Sequence, residues 1–148
     1  MIHAVDVQIR NDVSEIGIVR DTMDDLAREF GMPARALTEL QVALDEVVSN
    51  VIKYSWHDGG QHEFLVRITM QPDRVDVEIF DDGRAFDPMA APSPNTAPAG
   101  QPPPRGGLGI HMIKKLVDHF TYERTDGRNH TTLRKKCDIG TVAERSVK

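Results

Sequence analysis

At 148 residues, with 39% apolar and 28% charged side chains and a formal net charge of −5, the chain reads as one globular domain, not a disordered or fibrous polymer. The acidic balance leaves no basic footprint for direct nucleic-acid binding, and no apolar run approaches the roughly 18 residues of a membrane span. The lone cysteine, Cys137, makes no internal disulfide, and MIHAVDVQIRND lacks the basic start and long apolar centre of a signal peptide; both fit a cytoplasmic setting.

Alternation of His3, Val5, Val7 and Ile9 predicts a first strand over Ile2–Arg10. Asn11, Asp12 or Ser14 caps a helix over Val13–Phe30, whose stripe is Val13, Ile16, Val19, Met23, Leu26, Ala27 and Phe30. Gly31 ends it, and Pro33 suits the first turn of a second helix running to about Trp56. After an Asp58-Gly59-Gly60 turn, Phe64, Val66, Ile68 and Met70 mark one strand. Val75, Val77 and Ile79 mark its hairpin partner across Gln71–Arg74. Seven of the nine prolines lie between Pro88 and Pro104, a composition with little to pack, so 87–105 is expected to be a flexible lid. A helix follows from Gly106 to about His119. Phe120–Arg124 and Thr131–Lys136 close the fold as an antiparallel pair around Asp126-Gly127. Residues 1–138 form the domain and 139–148 a loose polar tail. The order β–α–α–β–β–loop–α–β–β points to an α+β two-layer sandwich, with a mixed, mostly antiparallel sheet and helices on one face.

Three groups of residues bear chemistry. Glu46 and Asn50, four apart inside ALDEVVSNVIKY, project together from the second helix. A carboxylate beside an amide oxygen suits holding Mg²⁺ and orienting a hydroxyl; the plainer alternative is an exposed helix edge. Asp81 ends a strand and Gly83 follows it. The carboxylate is able to accept from a base's amine, and the glycine lets a flat ring come close; the alternative is an ordinary turn. Gly106-Gly107-Leu108-Gly109 opens a helix whose backbone N–H groups suit phosphate, with Arg105 before it able to pair with a terminal phosphate; the alternative is helix punctuation. Among the six histidines there is no HExxH and no Cys/His cluster, which argues against zinc. No GxSxG surrounds a serine.

In order and spacing these groups resemble the motifs of the GHKL, or Bergerat-fold, ATP-binding superfamily. Glu46-x-x-x-Asn50 resembles its N box, Asp81-x-Gly83-x-Ala85 its first glycine box with Ala85 in place of the second glycine, and Gly107-x-Gly109 its second. Thr131-Thr132 resembles its final threonine. Within the superfamily, ALDEVVSNVIKYSW, DDGRAFDP and GGLGIHMIKKLVDHFTYER are similar to the small anti-sigma-factor serine kinases of the RsbW type. The resemblance implies ATP and Mg²⁺ as cofactors, with Asn50 ligating the metal and Glu46 acting as the catalytic base or orienting the attacking group. It implies that Asp81 reads adenine beside Gly83 and Ala85. Arg105, Gly106, Gly107, Leu108 and Gly109 meet the phosphates, with Thr131 nearby. It further implies phosphorylation of a serine or threonine on an anti-anti-sigma (STAS-like) antagonist, sequestration of a sigma factor or similar client, and homodimerisation. Rival readings are a nucleotide-binding interaction module without transfer, a detached histidine-kinase-type catalytic domain, and an ATPase of the gyrase or chaperone kind.

Overall fold

The computed structural model describes residues 2–85 and 107–139. Its elements are strand β1 (His3–Arg10), a 3-10 turn (Val13–Glu15), helices α1 (Ile16–Phe30) and α2 (Ala34–Tyr54), strands β2 (Glu63–Gln71) and β3 (Arg74–Asp81), helix α3 (Gly107–Leu116), and strands β4 (His119–Thr125) and β5 (Arg128–Lys136). The five strands form one sheet in the order β1-β2-β3-β5-β4. The sheet is mostly antiparallel, as expected, and antiparallel at every described pairing.

One face of the sheet is apolar and covered. Phe64, Val66, Ile68, Met70, Val75, Val77, Ile79 and Leu133 bury against Val19, Met23, Leu26 and Phe30 of α1, Leu40, Leu44, Val47, Val48 and Val51 of α2, and Ile113 of α3. The helical residues recur at intervals of three and four, the spacing of one helix face. No described helix covers the other sheet face. Directly opposed residues there form cross-strand pairs: Asp6 with Arg67 at 2.8 Å, Asp76 with Arg134 at 2.8 Å, and Phe80 stacked on His130.

Several boundaries differ from expectation for local reasons. Asp12 is the cap that forms, its side chain accepting from Ser14 N, but it starts a 3-10 turn, and Val13 stays 58% exposed instead of joining the core. Gly31 ends α1 in the left-handed conformation at φ 72°, where glycine pays no Cβ penalty. Pro33 is the residue just before α2, which stops at Tyr54 with Ser55 as its cap. Helix α3 ends at Leu116, short of His119, where the Lys135 ammonium donates to the Leu116 carbonyl at 2.7 Å; a cation satisfies a last-turn oxygen there. Ile139, expected to begin the tail, is 5% exposed and donates its N–H to Pro72 O at 2.9 Å. Residues 140–148 of the expected tail, and the expected lid, lie outside the described residues.

Candidate nucleotide site

Strand β3 is the middle strand of the sheet, and its register carries the apolar alternation Val75, Val77, Ile79 one step further to Asp81. A carboxylate therefore stands where the pattern calls for a core residue, 3% exposed. Its Oδ1 accepts from Gly83 N at 3.0 Å and from Asn129 Nδ2 at 2.9 Å, with the Ser55 side chain near enough to favour the charged form. Burial raises the Asp81 carboxyl above its ordinary value, and neighbouring Asp82 adds to that. The bonds from Asn129 and Gly83 and the nearby Ser55 side chain pull it down without cancelling the rise. No cation bonds to it among the described residues. Such a group costs stability unless something else uses it, which makes it a candidate recognition group.

The loop after Asp81 is pinned to the end of α2. Arg84 N donates to Ser55 O at 2.8 Å, and the Arg84 side chain donates to Tyr54 O at 2.9 Å. Gly83 is buried here, and a Cβ on it would fall within 3.0 Å of three Ser55 atoms, two of them backbone. Glycine was expected for the approach of a ring; in this fold it is required by the approach of α2. Ala85 is exposed at the last described position of the loop.

Glu46 and Asn50 both lie on α2, half-buried on neighbouring turns. Glu46 makes no side-chain hydrogen bond or ion pair with another described residue. The Asn50 Nδ2 is buried with no hydrogen-bond partner among the described residues. A buried amide group without a partner is uncommon and points to a missing one. Rotating the amide exchanges N for O, so Asn50 is able to offer oxygen to a cation or N–H to a phosphate. Among the described residues no three His, Cys, Asp or Glu side chains cluster as a metal cage. Mg²⁺ at nucleotide sites is held mostly by phosphates and water with one or two protein ligands, so a single amide oxygen fits it. Helix α3 packs against α2. Gly107, Leu108 and Gly109 form its first turn, where backbone N–H groups lack helical partners. Arg105 and Gly106 lie outside the described residues.

Thr131 is 7% exposed on β5, opposite Ile79 and diagonal to Asp81 on the covered face. Its nearest predicted neighbour is therefore the strand-end carboxylate. Ser55, Arg124 and Asn129 were not anticipated. Asn129 carried one signal: at period two with Thr131 and Leu133 it shares their buried face, where asparagine is unusual.

A two-layer α+β sandwich with these residues at one end of its middle strand and along α2 is the GHKL, Bergerat-type ATPase fold. A model of the histidine kinase-like ATPase domain matches residues 9–135, and the chain belongs to that family. The serine/threonine-protein kinase BtrW of Bordetella bronchiseptica is 28% identical over 133 residues, 84% of this chain and 92% of that protein. The serine-protein kinase RsbW of Bacillus velezensis is 25% identical over 131 residues, 83% of this chain and 79% of that one. The crystal structure of the RsbU and RsbW domains of a Mycobacterium tuberculosis protein matches with a TM-score of 0.63 at 16% identity. The match covers 95% of this chain and 34% of that one, and bears on the fold alone. The sequence-based recognition of a GHKL protein similar to RsbW-type kinases stands.

Proposed function

We propose that this chain binds ATP with Mg²⁺, transfers the terminal phosphoryl group to a serine or threonine of an anti-anti-sigma (STAS-like) antagonist, and sequesters a sigma factor or similar client. The observation that carries the reading is Asp81: a buried strand-end carboxylate, held from one side by Gly83 and Asn129, in the position where the family resemblance sets the adenine-reading acid. Kinship to named serine kinases over most of both chains supports transfer as well as binding.

In this reading Asp81 accepts from the adenine amine, and Gly83 and Ala85 carry the loop that borders the base. The N–H groups of Gly107, Leu108 and Gly109, preceded by Arg105 and Gly106, face the phosphates, and Thr131 completes the wall beside Asp81. Asn50 supplies the amide oxygen that would hold Mg²⁺, which neutralises phosphate charge when bound. Glu46 accepts the proton of the attacking hydroxyl or orients it. Phosphoryl transfer asks the protein chiefly for such positioning and electrostatics.

Labelled ATP, Mg²⁺ and a STAS-domain antagonist from the same cell make the test. Stable phosphoserine or phosphothreonine on the antagonist is the expected result. Nucleotide binding without transfer to any antagonist would leave an interaction module.

A further inference from the structure

Asn129 sits directly opposite Asp81 across the β3–β5 pairing and is 3% exposed. An amide has two N–H donors and an oxygen with two acceptor sites, and this one uses all four. Its Nδ2 donates to Asp81 Oδ1 at 2.9 Å and to Arg84 O at 2.8 Å. Its Oδ1 accepts from Arg124 Nη1 at 2.9 Å and from the Tyr122 hydroxyl. The partners fix the amide's orientation, because a flipped group would set N–H against donors and oxygen against acceptors. Arg124 Nη1 also donates to Gly83 O at 3.0 Å. One buried side chain thereby ties together Asp81, Gly83 and Arg84, which is most of the loop after β3.

The bond to Asp81 is also selective between the two carboxylate oxygens. Gly83 N and Asn129 Nδ2 both go to Oδ1, which fills that atom's two acceptor sites. A ligand's amine is left Oδ2. We propose that Asn129 is the positioning residue that orients Asp81 for an amine-bearing base and so helps set preference for adenine over guanine. This rests on the ATP reading above. Whichever protonation state Asp81 takes, its surroundings are the same: Asp82 along the chain, Ser55 from α2, Asn129 from β5, and Tyr122 and Arg124 from β4 behind Asn129. Of these, Asn129 contributes the largest effect favouring the ionised, purely accepting form.

The experiment compares wild type, Asn129→Leu and Asn129→Ser by calorimetry with ATP and GTP across pH, each variant first shown to be folded by circular dichroism. Leucine removes every donor; serine keeps one hydroxyl. Asn129→Leu should weaken ATP binding about tenfold or more, the weight of one hydrogen bond to a charged group, and weaken GTP binding much less. Its loss of ATP affinity on acidification should begin at higher pH than in wild type, since Asp81 takes a proton more readily without Asn129. Asn129→Ser should fall between, and it carries the test alone if the leucine variant does not fold. Equal losses for ATP and GTP with an unmoved pH profile would mean a merely structural asparagine and overturn the proposal. Wild type that binds neither nucleotide would overturn the ATP reading and this inference together, whereas wild type that binds ATP beside indifferent variants would overturn Asn129 alone.

Discussion

The two ends of the site are built on opposite plans. Around Asp81, hydrogen-bonding capacity is satisfied by protein: Asn129 uses all four of its sites, Gly83 is locked on Ser55, and Arg84 bonds back to α2. On α2, neither Glu46 nor the buried Asn50 N–H has a partner among the described residues. A base is rigid and flat, and a prearranged acceptor recognises it without reordering. Phosphates and a metal bring their own charge and ligands, so groups that meet them stay unpaired until they arrive. In the proposed reading this contrast separates recognition from chemistry along the molecule, and each substitution below tests one side of it.

The largest effect belongs to the unpaired end. Glu46→Gln keeps size and polarity but cannot take a proton. With Glu46 as base, transfer to the antagonist should slow by roughly 10²–10⁴-fold while calorimetric ATP affinity is unchanged. Transfer at the wild-type rate would remove Glu46 from the chemistry and leave the α2 face a binding surface only.

At the paired end, Asp81→Asn should fold and lose nucleotide. Its amide oxygen still accepts from Gly83 and Asn129, but the nitrogen replacing Oδ2 faces the base with a donor. A loss of about 1.5–3 kcal/mol in ATP affinity follows. Stability should move the other way. The folded carboxyl lies above its unfolded value of 3.8, so the folded state binds the proton more tightly. Wild type therefore loses stability as pH rises from 3.8 through the folded value. Asp81→Asn has no such loss, and its melting temperature relative to wild type should climb from acid to neutral pH. A constant difference across that range would show that Asp81 pays no burial cost.

Gly83→Ala probes the seam between the two ends. Its new methyl meets Ser55 backbone, which cannot yield as a side chain tip does. The loop must lift off α2, breaking the Arg84 N to Ser55 O bond. Overpacking of this kind costs about 1–3 kcal/mol, measurable by urea denaturation, and ATP affinity should drop with it. Wild-type stability would mean that the seam has slack.

Much of this plan was legible in the sequence, and the reasons divide by distance along the chain. Periodicity and turn residues located α1, α2, the β2–β3 hairpin and the β4–β5 hairpin, because those signals are local. Glu46 and Asn50 were paired by helical spacing alone. Val13 was misplaced because a 3-10 turn follows the apolar stripe without its geometry. The Asp81–Asn129 pair was not visible, since it depends on β5 returning beside β3 to join residues 48 positions apart in the sequence. The reason for Gly83 was equally hidden: a turn glycine and a packing glycine look alike until α2 is known to end against it.

The smallest effect tests how far the paired end reaches. Trp56, the chain's one tryptophan, lies just past α2 with its indole stacked on His62 at 4.8 Å and its N–H donating to Asp82 Oδ1 at 3.2 Å. Asp82 adjoins Asp81, so this bond steadies the loop from outside as Asn129 does from within. Trp56→Phe keeps an aromatic ring against His62 and Phe64 and removes only the N–H. Because the bond is exposed, the loss should be near the low end for a hydrogen bond, about two- to tenfold in ATP affinity, with the melting temperature little changed. In wild type, the indole emission should shift when ATP saturates the site and stay still with GTP. An emission blind to ATP, together with unchanged affinity in Trp56→Phe, would confine the prearranged region to Asp81, Gly83 and Asn129. A shift of equal size with both nucleotides would instead place the response at the phosphate end, and would mean that the two ends are mechanically joined despite their different construction.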